Sequence, residues 1–235
     1  AVAAVFHIIN HATFKASLFM AAGIIDHETG TRDMRRINGL LRFMPHTAVL
    51  AMVAASAMAG VPLLNGFLSK EMFFTETLEQ HMLGNWSWLI PLGATLGGVF
   101  SVAYSLRFVH DVFFNGKPVN LPKYPPHEPP RYMRVPVEIL VVMCLAVGLA
   151  PGFTVAGLLA VAAESTVGNA LPEYSLAIWH GFNLPLFMSF AAMVLGILVY
   201  SLRRPLFDWY ARQRDVDAKL VFEAAVQRLV RGAGQ

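Results

Sequence analysis

The opening stretch AVAAVFHIINHATFKASLFMAAGII contains no Asp, Glu or Arg. About 20 apolar residues in a helix suffice to cross the hydrocarbon core of a bilayer, so residues 1–25 predict a membrane span. Three titratable side chains interrupt it. On a 3.6-residue period His7, His11 and Lys15 fall on nearly one stripe, spread over about 12 Å of helix axis. Holding a lysine near the bilayer centre costs at least about 2.5 kcal/mol, and such residues normally face a protein interior or hydrated cavity and mark ion paths. The row therefore predicts transport, with the three side chains as proton-accepting groups. Packed histidines bonded to neighbouring carbonyls are the plainer alternative for His7 and His11.

The remaining apolar segments predict an all-α polytopic membrane protein with about five transmembrane helices, one of them broken. The broken one runs from about residue 46 to 83. Its centre, VPLLNGFLSKEMFF, places Pro62, Asn65, Gly66 and Lys70 within nine residues. Pro removes a backbone donor and Gly relaxes φ, so the helix should unwind there and free carbonyls that line a cavity. Discontinuous helices are where secondary transporters place their ion sites. Pro62, Asn65, Gly66 and Ser69 thus form a candidate cation or helix-break site, with the freed carbonyls from Val61 to Asn65 as oxygen ligands. Lys70 follows the break directly. Further spans are predicted at about residues 86–114, 136–163 and 180–202. Composition agrees: 56% of residues are hydrophobic, 14% are charged and the mean hydropathy is +0.52, against about 25% charged in an average soluble domain. Cys144 is the only cysteine, which excludes a disulfide framework or thiolate metal site within the chain. The chain opens inside a hydrophobic segment, which predicts an internal piece of a longer protein.

Lys and Arg collect in cytoplasmic loops, and here they alternate loop by loop. Residues 26–45 hold Arg32, Arg35, Arg36 and Arg42, and residues 115–135 hold Lys117, Lys123, Arg131 and Arg134. The loops at residues 71–85 and 164–179 hold none, and the tail from residue 203 is basic again. The net charge of +3 is thus a topology signal, and dispersed basic residues among acids give no support for nucleic-acid binding. Arg107, His110 and Asp111 in YSLRFVHDVFF cluster at the cytoplasmic end of the third span, as either a proton exit or an interfacial anchor. Glu138 and His180 sit at the edges of their spans and suit interface positions. The tail carries Leu220, Phe222, Ala225, Leu229 and Val230 amid charges, the pattern of a helix lying on the cytoplasmic surface or docking a partner.

Two rival chemistries fit poorly. His7 and His11 have the i, i+4 spacing of zinc ligands but enclose Ile-Ile-Asn, without the glutamate base of His-Glu-x-x-His. The other is a purely structural membrane subunit, or one that carries haem on His7 and His110. Neither a metal nor a cofactor is expected.

The segments HATFKASLFMAAGIIDHETGTRDMRRINGLL and MPHTAVLAMVAASAMAGVPLLNGFLSKEMFF resemble the antiporter-like subunits shared by Mrp-type cation/proton antiporters and respiratory complex I. GIIDHETGTRD and EYSLAIWHGFNLPL are similar to the Mrp large subunit over its complex I relative. The resemblance implies two inverted five-helix repeats, each with a broken helix and a buried lysine. Residues 1–114 would then be part of the second repeat, 115–135 a cytoplasmic loop, 136–202 two C-terminal spans and 203–235 a cytoplasmic amphipathic tail. Carried over by position, His7 and His11 match the family's paired histidines, Lys15 the lysine of the same helix and Lys70 the terminal lysine beside the break. The implied function is part of the proton path of a multisubunit Na⁺ or K⁺/proton antiporter, a transporter component in a bacterial plasma membrane whose partners are other membrane subunits. A proton-pumping subunit of complex I is the alternative.

Overall fold

The computed structural model describes residues 1–169, 171, 173–211 and 218–233. Among them every regular element is helical, and two units separate at residue 200. In the first unit, α1 (Val2–Thr29) continues unbroken through the His/Lys row and ends at Gly30, whose φ of 74° is the left-handed cap that favours glycine. Its buried face includes Phe6, Asn10, Phe14, Ser17 and Ala21. Thr13 and Ser17 turn their hydroxyls back to the carbonyls of Ile9 and Thr13, so these polar groups need no outside partner in an apolar setting.

The predicted break is present. α2 (Pro45–Ala59) stops at Gly60, and α3 (Asn65–Leu78) starts five residues later. Between them Leu63 holds φ at 69°, a left-handed conformation that costs a non-glycine residue about 1–2 kcal/mol. The packing around the break explains its persistence. Ala48, Ala51, Ala54, Ala55 and Ala57 of α2 are buried, and small side chains let membrane helices approach closely.

α4 (Leu89–Val109) runs into a π-helical turn at His110–Phe114. Ser101 of α4 donates to the Met58 carbonyl at 3.0 Å, tying α4 to the end of α2. α5 (Arg131–Leu149) crosses so near the break that a Cβ on Gly148 would overlap the Leu63 carbonyl.

Several boundaries depart from the sequence reading. The helix expected over 136–163 begins at Arg131 and ends at Leu149, followed by the short α6 (Pro151–Thr154) and by α7 (Ala156–Val167). Proline disfavours the helical conformation of the residue before it, and Ala150 accordingly sits at φ −145°, ψ 60°. The last span, α8 (Leu184–Ser201), likewise starts at Leu184 instead of His180, and α3 ends at Leu78 instead of near Leu83. α8 begins after Asn183, whose Oδ1 accepts the Leu186 amide at 2.9 Å.

α1 packs on α2, α3, α5 and α7, whereas α4 packs on α2 and α3. Among the described residues four helical stretches are long and apolar enough to cross a membrane, Val2–Thr29, Gly84–Phe114, Arg131–Leu149 and Leu184–Ser201. α2 is apolar but shorter than these, and with α3 it forms the discontinuous pair.

The basic loops are pinned by ion pairs. Arg35 donates twice to the Asp33 carboxylate and holds its pKa down at about 2, so this exposed pair stays ionised at physiological pH. The second unit holds α9 (Arg203–Ala211) and α10 (Ala218–Ala233). On α10, Phe222, Val226 and Val230 recur every fourth residue and are all exposed. The side chains of Leu220 and Leu229 lie outside the described set.

Candidate functional site: a histidine and lysine row beside a broken helix

Lys70 reaches back across the break it follows. Its Nζ donates to the Ala59 carbonyl at 2.8 Å, at the C-terminal end of α2, where the unsatisfied carbonyls and the helix dipole favour a cation. The side chain lies against Gly60, where an added Cβ would come within 2.8 Å of Lys70 Cδ. Gly60 also has φ 84°, so glycine here serves both the turn and the lysine. No carboxylate pairs with Lys70 among the described residues. Its ammonium is held by a neutral carbonyl, an arrangement from which a proton can leave without separating an ion pair.

The row on α1 divides between two neighbours. His7 is half-buried, and its Nδ1 lies 3.3 Å from Ser69 Oγ on α3, the residue before Lys70. His11 is exposed on the chain's surface, with ring centroids 5.8 Å from His7. Lys15 is half-buried and turns to α4, its Nζ 5.5 Å from the centre of the Tyr104 ring. Thus His7 meets the helix break while Lys15 does not, although both lie on one stripe of α1. Among the described residues Lys15 has no carboxylate partner.

Asn65 and Ser69 are fully buried at the start of α3, and Gly66 is buried between them. A Cβ on Gly66 would overlap the Ala57 carbonyl, which shows how tightly α3 folds back on α2. Asn65 Nδ2 reaches the Asn10 carbonyl at 3.5 Å, while the Oδ1 atoms of Asn10 and Asn65 have no hydrogen-bond partner among the described residues. Pro62 is half-buried in the connecting turn. These groups meet around the break. Among the described residues no cluster of three or more His, Cys, Asp and Glu side chains is arranged to hold a metal ion.

Arg107, His110 and Asp111 do come together. Arg107 Nε is 3.6 Å from Asp111 Oδ2, His110 Nδ1 is 3.2 Å from Asp111 Oδ1, and Tyr200 of α8 donates to that oxygen at 3.5 Å. The π-helical turn aims this group, since the added residue per turn rotates His110 and Asp111 away from the regular α register. Glu138 pairs with His46 Nε2 at 2.7 Å, joining α5 to the start of α2; because α5 begins at Arg131, Glu138 stands two turns inside its helix and not at the edge expected from a start at residue 136.

Glu71 is the residue that sequence reasoning passed over. Its carboxylate is buried, within 3.4 Å of Asn183 Nδ2 and 3.9 Å of His180 Nδ1. No Lys or Arg pairs with it among the described residues. It lines a cavity of about 340 Å³ that also receives Glu79, Glu173, His180 and Asn183, at the ends of the spans remote from the basic loops. A carboxylate adjoining Lys70 just after the helix break was a visible signal. Its partners, more than a hundred residues away, were not.

Residues 1–100 match the family model described as NADH:quinone oxidoreductase/Mrp antiporter, TM. The chain is 60% identical over 204 residues to a probable K⁺/H⁺ antiporter subunit of Rhizobium meliloti (strain 1021), an alignment covering 87% of this chain and 20% of that protein. It is 41% identical over 211 residues to a Na⁺/H⁺ antiporter subunit of Bacillus subtilis (strain 168), covering 85% of this chain and 26% of the other. In the solved structure of the Mrp complex from Dietzia sp. DQ12-45-1b, one chain superimposes with a TM-score of 0.81 at 35% identity, covering 99% of this chain and 25% of that one. The chain therefore spans about a fifth to a quarter of the length of the proteins it matches.

Proposed function

This chain belongs to the Mrp-type antiporter subunits, and from that premise we propose that it carries part of the proton path of a multisubunit monovalent cation/proton antiporter. The path runs through His7, His11, Lys15 and Lys70. The observation that carries this reading is the Lys70 ammonium held on the Ala59 carbonyl at the helix break, one residue from the Ser69 hydroxyl that meets His7. Histidine titrates near neutral pH and can receive a proton on one nitrogen while donating from the other, which suits a relay into the break. Coupling to the cation is electrostatic: like charges within a low-dielectric interior disfavour one another, so a proton or cation arriving at one station drives a proton off the next.

The reading places the chain in a bacterial plasma membrane among other membrane subunits, with the basic loops cytoplasmic and the α10 helix against the bilayer surface or a partner. The exchanged ion is Na⁺ or K⁺. The Glu71 cavity opens on the side away from the basic loops and supplies the path's outer mouth, while Arg107, His110 and Asp111 lie at its cytoplasmic end.

The direct test is cation-dependent proton flux in inverted vesicles containing the full assembly, measured with Na⁺ and K⁺ separately. Lys15→Ala should reduce the flux about 100-fold or more, the range for loss of a proton-transfer group, at unchanged amounts of complex. Wild-type flux from this variant would remove Lys15 from the path. Glu71→Gln keeps the shape and the contact to Asn183 but cannot accept a proton, and it should slow flux about tenfold, less than the loss of a proton-transfer group on the main path. An unaltered rate would leave Glu71 a structural carboxylate.

A further inference from the structure

We propose that Tyr104 is the positioning residue for Lys15, holding its ammonium toward α4 by the face of an uncharged ring. This rests on Lys15 serving in the proton path. Three observations carry it. Lys15 Nζ stands 5.5 Å from the Tyr104 ring centre, within the range of a cation–π contact. No carboxylate among the described residues pairs with Lys15, so the ring is the feature that meets its charge. Finally, α4 is fixed where Tyr104 sits, because Ser101, one turn earlier, donates to the Met58 carbonyl beside the helix break.

The choice of partner has a mechanistic consequence. A carboxylate at ion-pair distance would hold the ammonium tightly in a low-dielectric setting. An aromatic face attracts an ammonium through its quadrupole and offers little to a neutral amine. When Lys15 passes its proton on, the contact with Tyr104 therefore lapses and the flexible side chain is free to turn back along α1 toward His11. Reprotonation from the histidine side restores the charge and returns the side chain to the ring. Tyr104 thus gives Lys15 two positions governed by its own charge, one on the α1 row and one facing α4.

The position facing α4 leads somewhere. Arg107 follows Tyr104 one turn later on α4, and its Nε stands 3.6 Å from Asp111, which gathers His110 and Tyr200 at the π-helical turn that α4 runs into. About 10 Å of helix axis separates Tyr104 from Asp111, a distance that a short file of waters spans. Through Tyr104 the row therefore has a branch toward the cytoplasmic cluster, separate from the link that His7 makes to Ser69 at the break.

The test varies the ring's electrostatics at constant shape, in the complete complex, with flux normalised to the amount of assembled complex. Tyr104→Phe keeps the π face and should retain at least about half of wild-type flux. A trifluorinated phenylalanine at position 104 has nearly the same outline but a weakened quadrupole, and flux should fall about five- to tenfold below that of Tyr104→Phe. Tyr104→Met, which keeps bulk without a π face, should fall as far. Equal flux from the phenylalanine and its fluorinated form overturns the proposal, as does a loss in Tyr104→Phe as deep as in Tyr104→Met. If Tyr104→Met fails to assemble, the near-isosteric pair decides alone. Lys15→Ala, run in parallel, separates the two readings: its loss of flux with no effect of fluorination refutes the role of Tyr104 only, whereas its retention of flux refutes both.

Discussion

Lys70→Gln is expected to abolish cation-dependent proton flux in inverted vesicles, by about 100-fold or more, while the complex still assembles. The amide can keep a hydrogen bond to the Ala59 carbonyl and occupy most of the space beside Gly60. What it lacks is a proton that can leave and return. The substitution therefore separates a structural anchor of the α2 terminus from a proton carrier. Lys70→Arg makes the complementary point, since a guanidinium keeps the charge and donors but does not deprotonate in a protein, and it should be equally inactive. Flux at the wild-type level from Lys70→Gln would reduce Lys70 to a cap on α2. Lys70→Ala tests something different, because it leaves the Ala59 carbonyl without its donor, at a cost of about 1–3 kcal/mol.

Gly66→Ala should prevent accumulation of the assembled complex. A methyl group at this position would overlap the Ala57 carbonyl, and backbone of a packed helix cannot swing aside as a side chain would. Overpacking a core commonly costs about 1–3 kcal/mol, and with backbone on both sides the cost should lie at or above the top of that range. The return of α3 onto α2 would open, and with it the approach of Ser69 to His7. Gly23→Ala is the matched control, because a Cβ there meets no atom of the described residues within 4 Å and a helical Gly-to-Ala change is favourable by roughly 0.5–1 kcal/mol in itself. Quantifying complex extracted from membranes for the two variants decides the matter: equal yields would mean that the break tolerates a wider separation than its packing indicates.

Much of the fold was legible because the bilayer imposes a one-dimensional rule. The apolar runs containing Phe14, Leu50 and Val141 announce helices by length and composition, and Pro62 with Gly66 announces the break by local backbone chemistry. The boundary after Leu149 was harder to see. Pro151 and Gly152 stand in the sequence, but the apolar residues on both sides, LAVGLA and FTVAGLLAVAA, disguise two helices as one long span. The stripe of His7, His11 and Lys15 was also legible, since 3.6-residue periodicity places residues on a face.

Periodicity does not say what that face meets. The ring of Tyr104 under Lys15, the Ser69 hydroxyl beside His7 and the pairing of Glu71 with Asn183 and His180 join residues far apart in the chain. None of these pairings leaves a local mark, because each depends on how helices rotate and where they cross.

Local composition alone settled which segments are helical, which suit the bilayer, and which ionisable residues are costly enough there to demand a use. Transfer free energy is nearly additive along a segment, so neighbours in sequence suffice to compute it. The partner of each ionisable group was decided by packing. Close approach of α2, α3 and α5 through Gly66 and Gly148 turns the break so that Lys70 meets the end of α2. Such approach is cooperative, set by many side chains at once, and it is what divides one stripe on α1 between the helix break and α4.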